Sequence, residues 1–82
     1  MTREEVYKLI DGEREYQKFK WNQVFDDSKW SLSDWIVFIE RYIQEAKNNT
    51  GFEKHEVDSI RKIAALAVAC MEQHETLPRK IA

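Results

Sequence analysis

The chain has one cysteine, one proline and two glycines in 82 residues. The lone Cys70 has no partner for an intrachain disulfide, so a disulfide framework is excluded. No apolar run approaches the ~20 residues needed to cross a bilayer. Met1-Thr2-Arg3-Glu4-Glu5 has no apolar segment behind its single basic residue, so no secretory signal is expected and the expected location is the cytoplasm. Charge of one sign is missing as well. Thirteen basic and fifteen acidic residues give a net charge of -2, which removes the strongest electrostatic reason to expect duplex nucleic acid as a partner. The composition, 43% hydrophobic and 34% charged, is that of one globular domain over residues 1–82. A lone core of this size is marginal, so self-association is expected.

With so little punctuation, the long stretches carry helix formers at helical spacing, and the expected class is all-α. The spacing predicts helices over about 2–21, 32–48 and 53–74, with the second and third forming a hairpin. Thr2-Arg3-Glu4-Glu5 has the capping-box spacing. Asp11-Gly12 interrupts the first helix without ending it, because a helical glycine costs only about 1 kcal/mol and the periodicity resumes in phase. Residues 22–31 mix aromatic and polar types without a period and read as a loop. Ser31-Leu32-Ser33-Asp34 offers two N-caps for the second helix, whose stripe is Leu32, Trp35, Ile36, Ile39, Tyr42, Ile43 and Ala46. Thr50-Gly51-Phe52-Glu53 opens the third helix, and Pro78 prevents any continuation beyond its end.

The run Ile63-Ala64-Ala65-Leu66-Ala67-Val68-Ala69-Cys70-Met71 is apolar on nearly every side, so the third helix needs neighbours on both sides. Two accounts stand: a dimer or larger helical bundle, or a central helix covered by its own chain. On the first account Val37 and Phe38, outside the main stripe of the second helix, join Leu66 and Cys70 as candidate subunit contacts. Cys70 among Ala69, Met71 and Val68 reads as an inert buried thiol.

The first helix carries the sharpest anomaly. Val6, Leu9 and Ile10 define an inward stripe that continues at ~100° per residue through Glu13, Tyr16, Gln17 and Lys20. Burying a carboxylate, an amide and an ammonium is costly unless each is paired. Glu13, Gln17 and Lys20, with Arg14, Tyr16 and Trp21 at the edges, are therefore candidates to line a pocket for a polar ligand. Lys20 suits an anion, and Tyr16 or Trp21 suits a ring. The alternative is a solvated ladder of helical neighbours. Arg61, at the margin of the third helix's stripe, is a candidate partner for Glu13 or for a ligand anion, with a plain surface salt bridge as the alternative.

Glu13-Arg14, Gln17, Lys20-Trp21, Asp26-Asp27, the Trp35 helix and the closing run from Ile63 to Glu72 together resemble a known pattern. It is that of small all-helical proteins, common in bacteriophage genomes, that look like reduced relatives of the MazG-like nucleotide pyrophosphohydrolases. The resemblance implies helical hairpins assembled into dimers or tetramers and, in active members, Mg²⁺-dependent cleavage of nucleoside triphosphates. Those members carry carboxylate pairs on the second and third helices. The matching positions here are Tyr42 and Glu45, and Ser59 and Lys62, of which only Glu45 is acidic. Asp58 and Glu40 are nearby but off register, which leaves Glu45 and Asp58 as weak metal candidates.

Other chemistries find less support. His55 and His74 are nineteen residues apart on one helix, too far for one metal site. No phosphate-cradling glycine loop is present, and Asn48-Asn49-Thr50 has no meaning as a sequon without secretion. The expectation is a non-enzymatic helical oligomer without cofactor, metal or membrane. It would bind and sequester a nucleotide or nucleotide-derived signal, as a counter-defence protein in the host cytoplasm if phage-encoded. The alternatives are a residual pyrophosphohydrolase using Glu40, Glu45 and Asp58, and a small adaptor that inhibits a host protein.

Overall fold

The structure, a computed structural model, describes residues 1–21, 29–48 and 53–80, with all their side chains except those of residues 21 and 53–56. They form α1 (Arg3–Trp21), α2 (Leu32–Asn48) and α3 (Glu53–His74), with no strand among the described residues. The ends follow local chemistry. At the start of α1 the Glu5 amide donates to Thr2 Oγ1 at 3.2 Å while the Thr2 amide donates to the Glu5 carboxylate at 3.3 Å. The start of α2 repeats this reciprocal cap: Asp34 N donates to Ser31 Oγ at 3.2 Å and Ser31 N to Asp34 Oδ2 at 2.8 Å. These bonds favour the carboxylate form and hold the Asp34 carboxyl below its ordinary value. The Thr50 cap of α3 and most of the loop read at 22–31 lie outside the described residues. Gly12 stays helical within α1. The chain leaves α3 through Glu75, in the left-handed region at φ 56°, whose amide donates to Met71 O at 2.8 Å.

The central position belongs to α3, which packs against α2 and, separately, against α1; among the described residues α1 and α2 do not pack on each other. The α2–α3 pair is an antiparallel hairpin, since the start of α2 meets the end of α3. There Trp35 Nε1 donates to Gln73 Oε1, and His74 Nε2 lies 3.0 Å from Trp30 O. Trp35 and Leu66 are fully buried in one cluster with Ala69, and Trp30, Phe38, Ile39, Tyr42 and Cys70 pack around it; Ala65 is buried as well. Edge-to-face ring contacts run from Trp35 to Trp30 (4.8 Å), Trp30 to Phe38 (5.0 Å) and Phe38 to Tyr42 (5.4 Å). The small side chain of Ala69 leaves room for the indole of Trp35 in this cluster.

Three sequence expectations meet a different arrangement. Leu66 has no surface to give a second subunit, because it is fully buried within its own chain. Phe38 and Cys70 are half-buried against the same cluster, and only Val37 of the four candidate contacts is exposed, at 58%. On α2, Phe38 turns inward while Leu32, Ile36 and Ile43 stay exposed, since α3 alone covers this helix and its contact centres on Trp35, Phe38, Ile39 and Tyr42. On α1 the polar half packs more closely on α3 than the apolar half does: Gln17 is buried, whereas Ile10 is half-buried and Val6 and Leu9 are partly exposed along a groove they share with Val57, Ile60 and Ala64 of α3. The Cα radius of gyration, 13.9 Å, exceeds the roughly 12 Å of a close-packed chain of this length, as expected when two helices share one partner without touching. Among the described residues no helix is long and apolar enough to cross a membrane.

Candidate functional site

Where α1 crosses α3, three polar contacts fix the crossing. Arg61 Nε donates to Glu13 Oε1 at 2.9 Å, and Arg61 also reaches Asp58 at 3.3 Å. Gln17 Nε2 donates to Lys62 O at 3.3 Å. Arg14 grips Glu72 with two bonds of 3.2 Å, one from Nε and one from Nη2. The Glu13 side chain is only 9% exposed, so Arg61 supplies the counter-charge that its burial demands.

Beside this crossing lies a crevice of about 150 Å³ lined by Glu13, Tyr16, Gln17 and Lys20 of α1, Tyr42 of α2 and Lys62 of α3. All three helices contribute, and the lining is largely polar. Gln17 is 4% exposed, and its Oε1 is buried with no hydrogen-bond partner. An orphaned buried carbonyl oxygen is uncommon and marks a place where a donor is missing. Glu13 is neutralised by Arg61, whereas Lys20 and Lys62 make no ion pair among the described residues. Two ammoniums therefore set the sign of the crevice in a chain whose net charge is -2. Lys20 Nζ stands 5.8 Å from the centre of the Tyr16 ring, which is mostly exposed and offers a face at the mouth. Burial, with help from the Glu45 and Glu13 carboxylates and against the pull of Arg41, raises the Tyr42 phenol above its ordinary value. Its hydroxyl, protonated at neutral pH like that of any tyrosine, is available as a donor.

Of the residues singled out in the sequence, Glu13, Tyr16, Gln17 and Lys20 are brought together, and Arg61 stands behind Glu13. Arg14 points instead to Glu72, and the side chain of Trp21 lies outside the described residues. Tyr42 and Lys62 line the crevice without having been read as ligand-binding residues. Tyr42 was legible as part of the stripe read for α2, whereas no local signal marked Lys62, which reaches the crevice only because α3 crosses α1 there. Asp58 is held by Arg61, Glu45 is exposed on α2, and among the described residues no three His, Cys, Asp or Glu side chains gather as a metal-binding group. His74 lies at the end of α3 against Trp30, and the side chain of His55 is outside the described residues. Comparison with known protein families, with curated proteins and with solved structures returns no match, so the functional case rests on these residues.

Proposed function

We propose that the chain is a non-catalytic, oligomeric binding protein that sequesters a nucleotide or nucleotide-derived signal in the crevice at the helix crossing. The observation that carries this reading is a crevice lined by Lys20 and Lys62, neither in an ion pair among the described residues, and by Gln17, whose buried Oε1 has no partner. An anion with a hydrogen-bond donor nearby answers both deficits: phosphate oxygens meet the lysines, and an amino or imino group of a base meets Gln17 Oε1 once the amide turns toward the crevice. The Tyr42 hydroxyl adds a donor, and the exposed Tyr16 ring offers a stacking face. At about 150 Å³ the crevice is smaller than the roughly 300–1,000 Å³ of sites that enclose a whole ligand. It takes a phosphate or a base edge, and the rest of the ligand lies against Tyr16 or a second subunit.

The nucleotide class comes from the resemblance to MazG-like proteins, and the substitutions support binding over cleavage. Where an active member needs metal-ligating carboxylates, Tyr42 and Lys62 face the crevice, and an ammonium repels Mg²⁺ while attracting phosphate directly. If the chain is phage-encoded, holding a nucleotide signal without hydrolysing it would blunt a host response.

Native mass spectrometry of gently purified protein, before and after incubation with a mixture of nucleoside phosphates and cyclic dinucleotides, tests the reading. A nucleotide-sized adduct that Lys20→Ala and Lys62→Ala both weaken is the expected result. No adduct with any of these probes would overturn it, and Mg²⁺-dependent pyrophosphate release would replace it with the enzymatic alternative.

A further inference from the structure

Glu13 and Gln17 stand one turn apart on α1, and both line the crevice at the helix crossing. Each brings an acceptor that the chain leaves open. Arg61 takes Glu13 Oε1, and no donor among the described residues takes Oε2. A carboxylate offers about four lone-pair sites, so one guanidinium bond leaves most of its accepting capacity unused. The Gln17 amide oxygen is buried without a partner. That amide is held by one long bond, 3.3 Å from Nε2 to Lys62 O, and the carbonyl keeps its intrahelical donor, so turning the amide toward the crevice gives up little.

The third group is a donor. Tyr42 of α2 lines the same crevice, and no acceptor among the described residues takes its hydroxyl. Burial and Glu45 do most to raise the Tyr42 phenol, and Glu13 adds to the rise, so the Glu13 carboxylate lies within electrostatic reach of that hydroxyl.

Two neighbouring acceptors beside a donor match the pairing edge of a single nucleobase. Adenine offers a donor and an acceptor, cytosine a donor followed by two acceptors, and uracil a donor between two acceptors. Guanine alone carries two adjacent donors, N2–H and N1–H, next to an acceptor, O6.

We propose that the crevice reads guanine: Glu13 and Gln17 accept from N1–H and N2–H, and the Tyr42 hydroxyl donates to O6. The assignment rests on the nucleotide-binding function proposed above and narrows its ligand to guanine-bearing nucleotides. A crevice of about 150 Å³ takes the edge of a base, which leaves the phosphates to Lys20 and Lys62 and the base face to the exposed Tyr16 ring. Arg61 fixes the Glu13 side chain before any ligand arrives, so little rotamer freedom is lost on binding.

Isothermal titration calorimetry of the full chain with GTP, inosine triphosphate (ITP) and ATP, without Mg²⁺, tests the proposal. The three share their sugar and phosphates, and ITP differs from GTP only in lacking the N2 amino group. GTP is expected to bind at least about 10-fold more tightly than either of the others, since each of them leaves a buried acceptor unpaired. Glu13→Gln should bring GTP and ITP to within about three-fold of each other, because an amide has a single acceptor oxygen and Arg61 holds it. Circular dichroism checks that the helices of this variant persist. Tyr42→Phe should weaken GTP and ITP alike, since both carry O6, and Lys20→Ala should weaken all three. Equal affinity for GTP and ITP, or a gap that Glu13→Gln leaves unchanged, would overturn the guanine assignment while leaving nucleotide binding in place. No binding of any of the three, with no adduct among the cyclic dinucleotides either, would overturn both.

Discussion

Gln17→Met is the substitution for which the binding reading makes its least intuitive prediction. Gln17 is almost fully buried, one of its polar atoms has no partner, and the other makes a single long bond of 3.3 Å to Lys62 O. An unsatisfied buried oxygen costs about 1–3 kcal/mol, and the bond that would be lost contributes about 0.5–1.5 kcal/mol. Lys62 O lies within α3 and keeps its intrahelical donor, so removing the amide orphans nothing. Methionine has nearly the same length and volume and introduces little strain. The balance is a stabilisation of about 1 kcal/mol, which for a chain of this size is a rise of about 4–8 °C in Tm. Thermal unfolding followed by circular dichroism, on ligand-free protein at matched concentration, measures it. Ligand adducts should fall together with the gain in stability, as expected of a residue kept for binding at the expense of folding. A Tm several degrees lower would refute the reasoning, because it would mean that Gln17 Oε1 is already satisfied and that the amide is a structural strut.

Other positions give independent checks. Gly12→Ala should stabilise α1 by about 0.5–1 kcal/mol, since a Cβ there meets nothing within 4 Å, and chemical denaturation reads this as a higher midpoint at unchanged slope. Glu75→Gly should add about 1 kcal/mol by relieving the left-handed backbone that ends α3, read in the same assay. Arg61→Ala should cost more than Glu13→Gln, about 2 kcal/mol against less than 1, because it leaves the Glu13 carboxylate buried without its cation; equal losses in a urea titration would contradict this. The Asp34 carboxyl is depressed in the folded state, so its contribution is present above its ordinary pKa of 3.8 and lost as pH falls through the folded-state value. Tyr42 behaves in the opposite sense: its phenol is raised above 10.0, so the folded state binds the proton more tightly and stability falls as pH rises past that point. Melting temperatures across both windows should show these losses, with Asp34→Asn flattening the acid limb and Tyr42→Phe the alkaline one.

The helices were legible because their signals are local. Thr2 with Glu5 and Ser31 with Asp34 are reciprocal caps that act within one turn, and Pro78 acts on the chain just before it. Gly12 could be passed over because its cost is small beside the gain of an unbroken α1. The set of Glu13, Tyr16, Gln17 and Lys20 was also legible, since helical spacing alone puts these residues on one stripe. What spacing did not reveal is that this polar stretch packs more closely on α3 than Val6 and Leu9 do. Glu13 and Gln17 find partners only in Arg61 and Lys62, nearly fifty positions away in the chain. The destination of Arg14 is of the same kind, because its carboxylate, Glu72, comes from the far end of α3.

The sequence by itself determined three helices, their ends, and which residues each helix presents together, because capping and a 3.6-residue period need only neighbours a turn away. Tertiary structure decided which faces meet. Placing α3 between the other two helices buried Leu66 inside its own chain, turned Phe38 inward and left Val6 and Leu9 of α1 partly exposed. It also brought Tyr42 and Lys62 to the crevice of Glu13, Gln17 and Lys20. Those outcomes depend on how two helices cross a third, a choice made by packing over long separations in the chain, where period and composition carry no information.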